Sequence, residues 1–408
     1  MRALVFGVEP EAATPPDDAG RLARNLAATP MDLREVDAPS LPGDDWMVLR
    51  TRLCGICGSD TKQVMMDFED DGDNAMTALI SFPQVLGHEV VASVESAGSA
   101  VTGLHAGQRV LLYPSLGCGP RGIDPACPAC AAGDFSLCHH FTDGRLSAGI
   151  HTGNSADATG GFAEFLPAHR SMVFPVPDDV TDEVAVLADP FSVALHAVTR
   201  NPPPADGVVV VYGAGALGLS TLAVLAALFP SVHVAAVARW EAQTRLATGL
   251  GAEVVGAEDP LSVVEELSGW SGGRLHRPWG GLPFAHPGGV DVVYDTVGSA
   301  ETMEVAIRLL ASRGTLAQMG VSSPARFEWT PWYFKELRLV GSNAFGIEEA
   351  DGRRRHAFEH YFGLVEDGRV DLRSMLTHTF PLEEWRSAFG VLADQAGSGA
   401  VKVAFDLR

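Results

Sequence analysis

Cys57 is followed thirty residues later by Gly87-His88-Glu89, which supplies a thiolate, an imidazole and a carboxylate in order along the chain. Three such ligands can hold a zinc ion while leaving its fourth position open, the property that separates a catalytic zinc from a structural one. Far downstream, Gly213-Ala214-Gly215-Ala216-Leu217-Gly218 follows the apolar run Val208–Tyr212 and leads directly into an apolar helical stretch. Glycines at these spacings permit a tight turn and a close backbone approach to a pyrophosphate, which the helix N-terminus then receives. Together the two features point to hydride transfer between an alcohol and a nicotinamide. An NAD site carries an acidic residue for the ribose 2′-hydroxyl at the end of the next strand. Here Ala238 takes that place and Arg239 follows. Losing the acid removes repulsion toward a 2′-phosphate, and the guanidinium offers a fork suited to it. NADP is the expected cofactor, with NAD the alternative.

Cys118, Cys127, Cys130 and Cys138 form a second cluster. Four thiolates complete a tetrahedral zinc and give a closed site whose role is to fix a lobe. The expected total is two zincs per chain. His139 and His140 could replace a ligand, but the spacing favours Cys138. Cys54-x-x-Cys57 also matches a redox pair, although that motif belongs at the start of a helix after a strand in a βαβ unit, and here it follows a β-rich run.

The elements that must position these groups divide by pattern. Residues 1–188 carry short β-rich runs, Trp46–Leu53, Val85–Val94 and Gln108–Pro114, separated by Gly, Pro and Asp. Residues 189–340 alternate: strand Val208–Tyr212, helix Ala216–Leu228, strand Val232–Val237, helix Glu241–Leu250. That alternation predicts a doubly wound parallel sheet with right-handed crossovers. Residues 341–408 add a helix near Arg353–Glu366 and a closing strand, Ala400–Phe405, that returns to the first domain. Glu9–Pro30, the acidic run Asp67–Asn74 and Gly269–Gly289 read as loop insertions. Met65, Met66 and Phe68 are either cleft lining or core, and His196 reads as a packed helix histidine.

The chain has 408 residues, 46% of them hydrophobic, with 29 Lys plus Arg against 51 Asp plus Glu and a net charge of -22. Phosphate-backbone binding needs a basic footprint that this balance does not supply, so nucleic acid is excluded as a partner. No stretch reads as a membrane span or an opening signal peptide, and a cytoplasmic protein with no membrane partner is expected. Six cysteines are too few for a disulfide scaffold and suit metal ligation better.

The ordered set Cys54-Gly-Ile-Cys57-Gly-Ser59-Asp60, Gly87-His88-Glu89, the cysteine lobe, Gly160-Gly161-Phe162-Ala163-Glu164, Asp189-Pro190 and the glycine-rich turn resembles the zinc-containing medium-chain dehydrogenase/reductase family, which includes alcohol, sorbitol, threonine and glucose dehydrogenases. The resemblance implies an α/β chain with a GroES-like catalytic domain (1–188, rejoined by 341–408) and a Rossmann domain (189–340). It implies Cys57 and His88 as catalytic ligands, with Glu89 or Asp189 as the third. It places Ser59 at the hydroxyl relay position and Asp60 behind the ligand imidazole. Lys62 and Gln63 stand where relatives often carry a further histidine. The cysteine lobe keeps the family's later spacing but holds eight residues, Gly119–Ala126, between its first two cysteines instead of two. The substrate implied is a secondary alcohol, polyol or sugar, or the matching carbonyl, and the assembly a homodimer or homotetramer. Two other readings stand beside this one: a catalytically silent nucleotide-binding relative, and a cysteine redox protein using Cys54 and Cys57.

Overall fold

The computed structural model describes residues 1–9, 20–66, 75–321 and 326–408. The acidic run, Phe68 and residues 10–19 of the first expected insertion lie outside them, and the described part of that insertion is not loop throughout but carries the helix Arg21–Ala28. Among the described residues, 1–189 and 376–408 form one compact unit and 190–375 the other. The return to the first unit therefore begins at 376, later than the expected 341.

In the first unit, β1 (Arg2–Phe6), β2 (Met31–Glu35), β3 (Trp46–Gly55), β4 (Gln84–Val85), β5 (Glu89–Ala97), β6 (Arg109–Leu112), β7 (Phe165–His169) and β8 (Val173–Pro175) build two sheets. β3 is the spine of the larger one. It pairs antiparallel with β5 and with β7, and its inward residues Trp46, Leu49 and Leu53 are fully buried. The expected strand Val85–Val94 is two strands, because the chain breaks at Gly87 and His88.

The second unit holds β9 (Val208–Tyr212), β10 (His233–Ala238), β11 (Glu253–Gly256), β12 (Leu275–His276), β13 (Phe284–Ala285), β14 (Val290–Asp295), β15 (Leu310–Gln318), β16 (Arg338–Gly341), β17 (Ile347–Ala350) and β18 (Arg353–His356). Its six-stranded sheet runs β11-β10-β9-β14-β15-β16, parallel throughout. The order reverses direction between β9 and β14, the switch point at which open α/β sheets bind their ligands. β9 reads Val-Val-Val-Val-Tyr because a central parallel strand is covered on both faces. Helix Ala216–Leu228 is apolar all round, and its two hydroxyls are satisfied internally: Ser220 donates to the Ala216 carbonyl at 2.8 Å and Thr221 to that of Leu217 at 2.9 Å. The expected loop Gly269–Gly289 contains the β12–β13 hairpin. The expected helix Arg353–Glu366 starts only at Ala357, since residues 353–356 pair as β18 with β17 and His356 caps the helix through its side chain.

The chain then returns through β19 (Leu376–Phe380) and β20 (Lys402–Asp406), and β20 inserts between β19 and β3. Its register sets Ala404 opposite Gly55 and Phe405 opposite Cys54. Among the described residues no helix is long and apolar enough to cross a membrane.

Candidate metal and cofactor sites

β3 delivers Cys57 two residues past its end, as the N-cap of the short helix Gly58–Val64. The backbone N–H of Cys57 donates to Asp60 Oδ2 at 2.9 Å, which folds the helix start around the buried carboxylate. Gly87 has φ of +91° and a Cβ there would lie 2.4 Å from the Phe162 ring and 2.7 Å from Cys54 Sγ. Glycine is thus required on both counts, and the break between β4 and β5 is what points His88 inward. Glu89 opens β5 opposite Gly55, where the absent Cβ leaves room for its carboxylate; a Cβ at 55 would lie 2.1 Å from Glu89 Oε2.

Ligand-capable atoms of Cys57, His88 and Glu89 all lie within 4.8 Å of one another. His88 Nδ1 stands 3.6 Å from Asp60 Oδ1. Burial opposes charge on His88, but Asp60 and Cys57 outweigh it and push its pKa well above the usual histidine range. Burial also opposes charge on Asp60, yet His88 and the Cys57 N–H hold that carboxyl below its usual range. The surroundings thus demand a cation at this spot, and a divalent metal would meet the demand.

Asp189 lies in the first turn of helix Ala188–Arg200, buried, and outside the 4.8 Å cluster. Its Oδ2 is sealed from solvent without a hydrogen-bond partner among the described residues. Burial first, and then the charge of Glu89, push its carboxyl up to about 7. Glu89 is placed differently. It ion-pairs with Lys402 of β20, whose ammonium also donates to the Ile56 carbonyl at 3.0 Å. Cys57, His88 and Glu89, with the orphaned Asp189 oxygen within electrostatic reach of His88, make the mixed sulfur, nitrogen and oxygen donor set a zinc ion fits.

Sequence reasoning missed two residues here. Lys402 is buried and carried in from the far end of the chain; only its position in an apolar closing strand could have signalled it. His151 packs its ring on His88 with centroids 4.6 Å apart. Burial, and then the neighbouring His88, bring its pKa down to about 4, so it stands neutral. Ser59 is exposed on the helix behind Cys57, and Gln63 donates to the buried Gln84 side chain at 2.5 Å. Met65 belongs to the core. Cys54 is buried, and burial, then Asp60 and Glu89, push its thiol well above the usual range, which removes the thiolate that a redox pair requires.

The second cluster is closed. Cys118, Cys127, Cys130 and Cys138 are all buried, with Sγ atoms within 4.8 Å. Cys118 Sγ lies 3.7 Å from Cys138 Sγ, and Cys127 Sγ 4.0 Å from it. A tetrahedron with metal–sulfur distances of about 2.3 Å needs sulfurs about 3.8 Å apart, whereas a disulfide needs about 2.05 Å. Backbone N–H groups of residues 118, 127, 130 and 140 point at the four sulfurs at 3.3 to 3.5 Å, as thiolates require. His139 is exposed and His140 bonds Asp143, so neither histidine takes a ligand place. The eight residues between Cys118 and Cys127 contribute Arg121, whose buried guanidinium donates to the carbonyls of Leu116, Asp143, Leu146, Ser147 and Gly149 at 2.7 to 3.2 Å.

In the second unit the three glycines do different work. Gly213 takes φ of +94°, and a Cβ there would meet Thr296 and Val297 at 2.7 Å. Gly218 packs the helix onto the turn so closely that a Cβ would lie 1.9 Å from the Gly213 carbonyl oxygen. Gly215 is the N-cap of the helix with nothing within 4 Å of its Cβ direction and no side chain capping the first turn, which Ala216 and Leu217 begin. This is the cradle a pyrophosphate fits. Ala238 ends β10 with its side chain buried, while Arg239 is exposed, its guanidinium 4.9 Å from the Trp240 ring centre.

Residues 43–178 match the model of the alcohol dehydrogenase GroES-like domain, and residues 216–358 that of zinc-binding dehydrogenases. The chain is 26% identical over 383 residues to a (R,R)-butanediol dehydrogenase of Saccharomyces cerevisiae, covering 89% of this chain and 92% of that one. A zinc-binding dehydrogenase from Sinorhizobium meliloti bound to NADP superposes with a TM-score of 0.69 at 28% identity, covering 99% of each chain. The alcohol dehydrogenase of Aeropyrum pernix superposes with a TM-score of 0.73 at 24% identity over the whole of both chains and shares the fold. With a metal-ready thiolate–imidazole–carboxylate cluster in its GroES-like unit and a Rossmann sheet in its other unit, the chain belongs to the zinc-containing medium-chain dehydrogenase/reductase family and is an NAD(P)-dependent oxidoreductase.

Proposed function

We propose that this enzyme interconverts a secondary alcohol, polyol or sugar with the matching carbonyl, prefers NADP(H), and carries two zincs per chain. The observation that carries the reading is the clustering of Cys57, His88 and Glu89, with the orphaned Oδ2 of buried Asp189 within electrostatic reach of His88 and Glu89. Zinc bound there would act as a Lewis acid on the substrate oxygen, and a bound nicotinamide would accept or deliver the hydride. Cys57, His88 and Asp189 hold the metal in this reading. Glu89 lies in the same cluster but is ion-paired with Lys402, so in this reading it tunes the charge of the site and is the weaker-held ligand. Asp60, with Oδ1 3.6 Å from His88 Nδ1, stands where a carboxylate orients a ligand histidine. Ser59, exposed next to Cys57, carries the released proton toward solvent. Cys118, Cys127, Cys130 and Cys138 hold the second zinc and stiffen the lobe. Arg239 selects the 2′-phosphate, which agrees with the NADP seen in the Sinorhizobium relative. The family likeness supports a cytoplasmic homodimer or homotetramer.

Metal analysis and a turnover screen of alcohols, polyols and aldehydes with both cofactors test the proposal together. Wild type should contain two zincs and favour NADP. Cys57→Ala should lose one zinc and nearly all turnover, whereas Cys130→Ala should lose the other and unfold at lower temperature. Arg239→Ala should raise KM for NADP about ten- to a hundredfold, the worth of a charge-assisted hydrogen bond. One zinc, insensitive to Cys57, would refute the catalytic assignment.

A further inference from the structure

His151 belongs to none of the motifs above and has no part in the mechanism assigned so far. It is a rigidly held residue. Its N–H donates to Asn154 Oδ1 at 3.0 Å, the Leu116 N–H to the Ile150 carbonyl at 3.1 Å, and the Thr152 N–H to the Pro114 carbonyl at 2.8 Å. Upstream, Arg121 gathers four carbonyls between Asp143 and Gly149. The buried Gln84 side chain donates to the Asn154 carbonyl at 3.4 Å and accepts from Gln63, tying this loop to the helix that carries Asp60. The two imidazoles, His88 and His151, thereby form one tilted pair.

The two nitrogens of the His151 ring are not equivalent. Nδ1 lies 2.7 Å from the Thr152 carbonyl, which can only accept, so Nδ1 carries the hydrogen and Nε2 presents a lone pair. Nε2 has no hydrogen-bond partner among the described residues, and it is not sealed from solvent as the buried orphan atoms of the chain are. A fixed, unpaired acceptor on a half-buried residue thus stands next to a metal ligand. A donor on the substrate would complete it.

We propose that His151 is a specificity-determining residue, accepting through Nε2 a hydrogen bond from a hydroxyl on the carbon adjacent to the one oxidised, and so selecting vicinal diols over simple secondary alcohols. The proposal rests on the dehydrogenase reading above. A site built to pair a substrate hydroxyl discriminates strongly against the analogue that lacks it, because the acceptor is then left unpaired.

Butane-2,3-diol and butan-2-ol differ by that one hydroxyl. They should be compared on zinc-loaded wild type, His151→Leu and His151→Gln, with zinc content and melting temperature measured for each. Two readouts are needed: kcat/KM, and the dissociation constant of each alcohol from the fluorescence of bound reduced cofactor. The diol-to-monool ratio of kcat/KM should fall about tenfold in His151→Leu, through KM rather than kcat. His151→Gln, which keeps an acceptor at similar reach, should recover the ratio to within about threefold of wild type. An unchanged ratio in His151→Leu overturns the proposal while leaving the dehydrogenase reading intact. Wild type that turns over neither alcohol overturns the dehydrogenase reading. The binding ratio then decides the role of His151 alone: a fall in the Leu variant supports it, no change overturns it. Should His151→Leu fail to fold, His151→Phe, an apolar ring of similar shape, replaces it in the same comparison.

Discussion

Glu89 and Asp189 are both buried carboxylates, but Glu89 has a cation in Lys402 and Asp189 Oδ2 has no partner among the described residues. Burying an unpaired carboxylate is costly enough that the group takes up a proton or a metal. Asp189→Asn should therefore release zinc to a chelator at least tenfold faster than wild type, and Glu89→Gln much less so; equal release from both variants would refute the division of roles. The pH dependence follows from the same asymmetry. The Asp189 carboxyl is pushed up to about 7, so without zinc the folded chain holds a proton that the unfolded chain releases near pH 4. That contribution is full below about pH 4 and declines until the pH passes about 7. Chelator-treated protein should melt at progressively lower temperature across that window, and Asp189→Asn should flatten the dependence. Cys57, His88 and the two candidate carboxylates were legible as residue types at family spacing. Their division of roles was not, because it depends on Lys402, 346 positions from the Ile56 carbonyl it bonds.

Elements whose signal is local were legible nearly to the residue. Strand Val208–Tyr212 and helix Ala216–Leu228 stand where the apolar pattern puts them, since a covered parallel strand and its glycine turn are written in adjacent residues. Elements set by distant packing were not. Val85–Val94 reads as one strand until Phe162 and Cys54 close over Gly87. Arg121, which nothing in its local sequence singles out, is the buried centre of five carbonyls. The glycine turn itself yields a paired prediction. Gly218→Ala would force a Cβ to 1.9 Å from the Gly213 carbonyl oxygen, whereas Gly215→Ala meets nothing within 4 Å. Gly218→Ala should destabilise by several kcal/mol, about the cost of overpacking a tight contact. Gly215→Ala should fold with an unchanged melting temperature yet bind NADP at least tenfold more weakly, because its methyl enters the space left for the pyrophosphate. Equal binding by wild type and Gly215→Ala would show that the phosphate does not lie over that turn.

At the scale of the whole chain, the first unit is closed by residues from both ends. β20 inserts beside β3 and brings Lys402 to Glu89, so this half of the molecule cannot complete its charge pairing until the last strand is in place. The other unit, residues 190–375, carries the glycine turn and its parallel sheet without interruption. Cofactor and zinc should consequently stabilise different parts of one chain. A ligand at a hundred times its Kd adds about 2.7 kcal/mol to the unit that binds it, or about a hundredfold in the protection of amides that exchange by opening of that unit. Saturating NADP should slow hydrogen exchange in β9, β10 and β14 by up to that factor while β3, β5 and β20 change far less. Chelation should do the reverse, loosening β3, β5 and the Cys118–Cys138 lobe and leaving the parallel sheet protected. Protection by NADP spread evenly over both sets of strands would mean that the two units open as one, and the assignment of zinc and cofactor to separately stable parts of the chain would then fail.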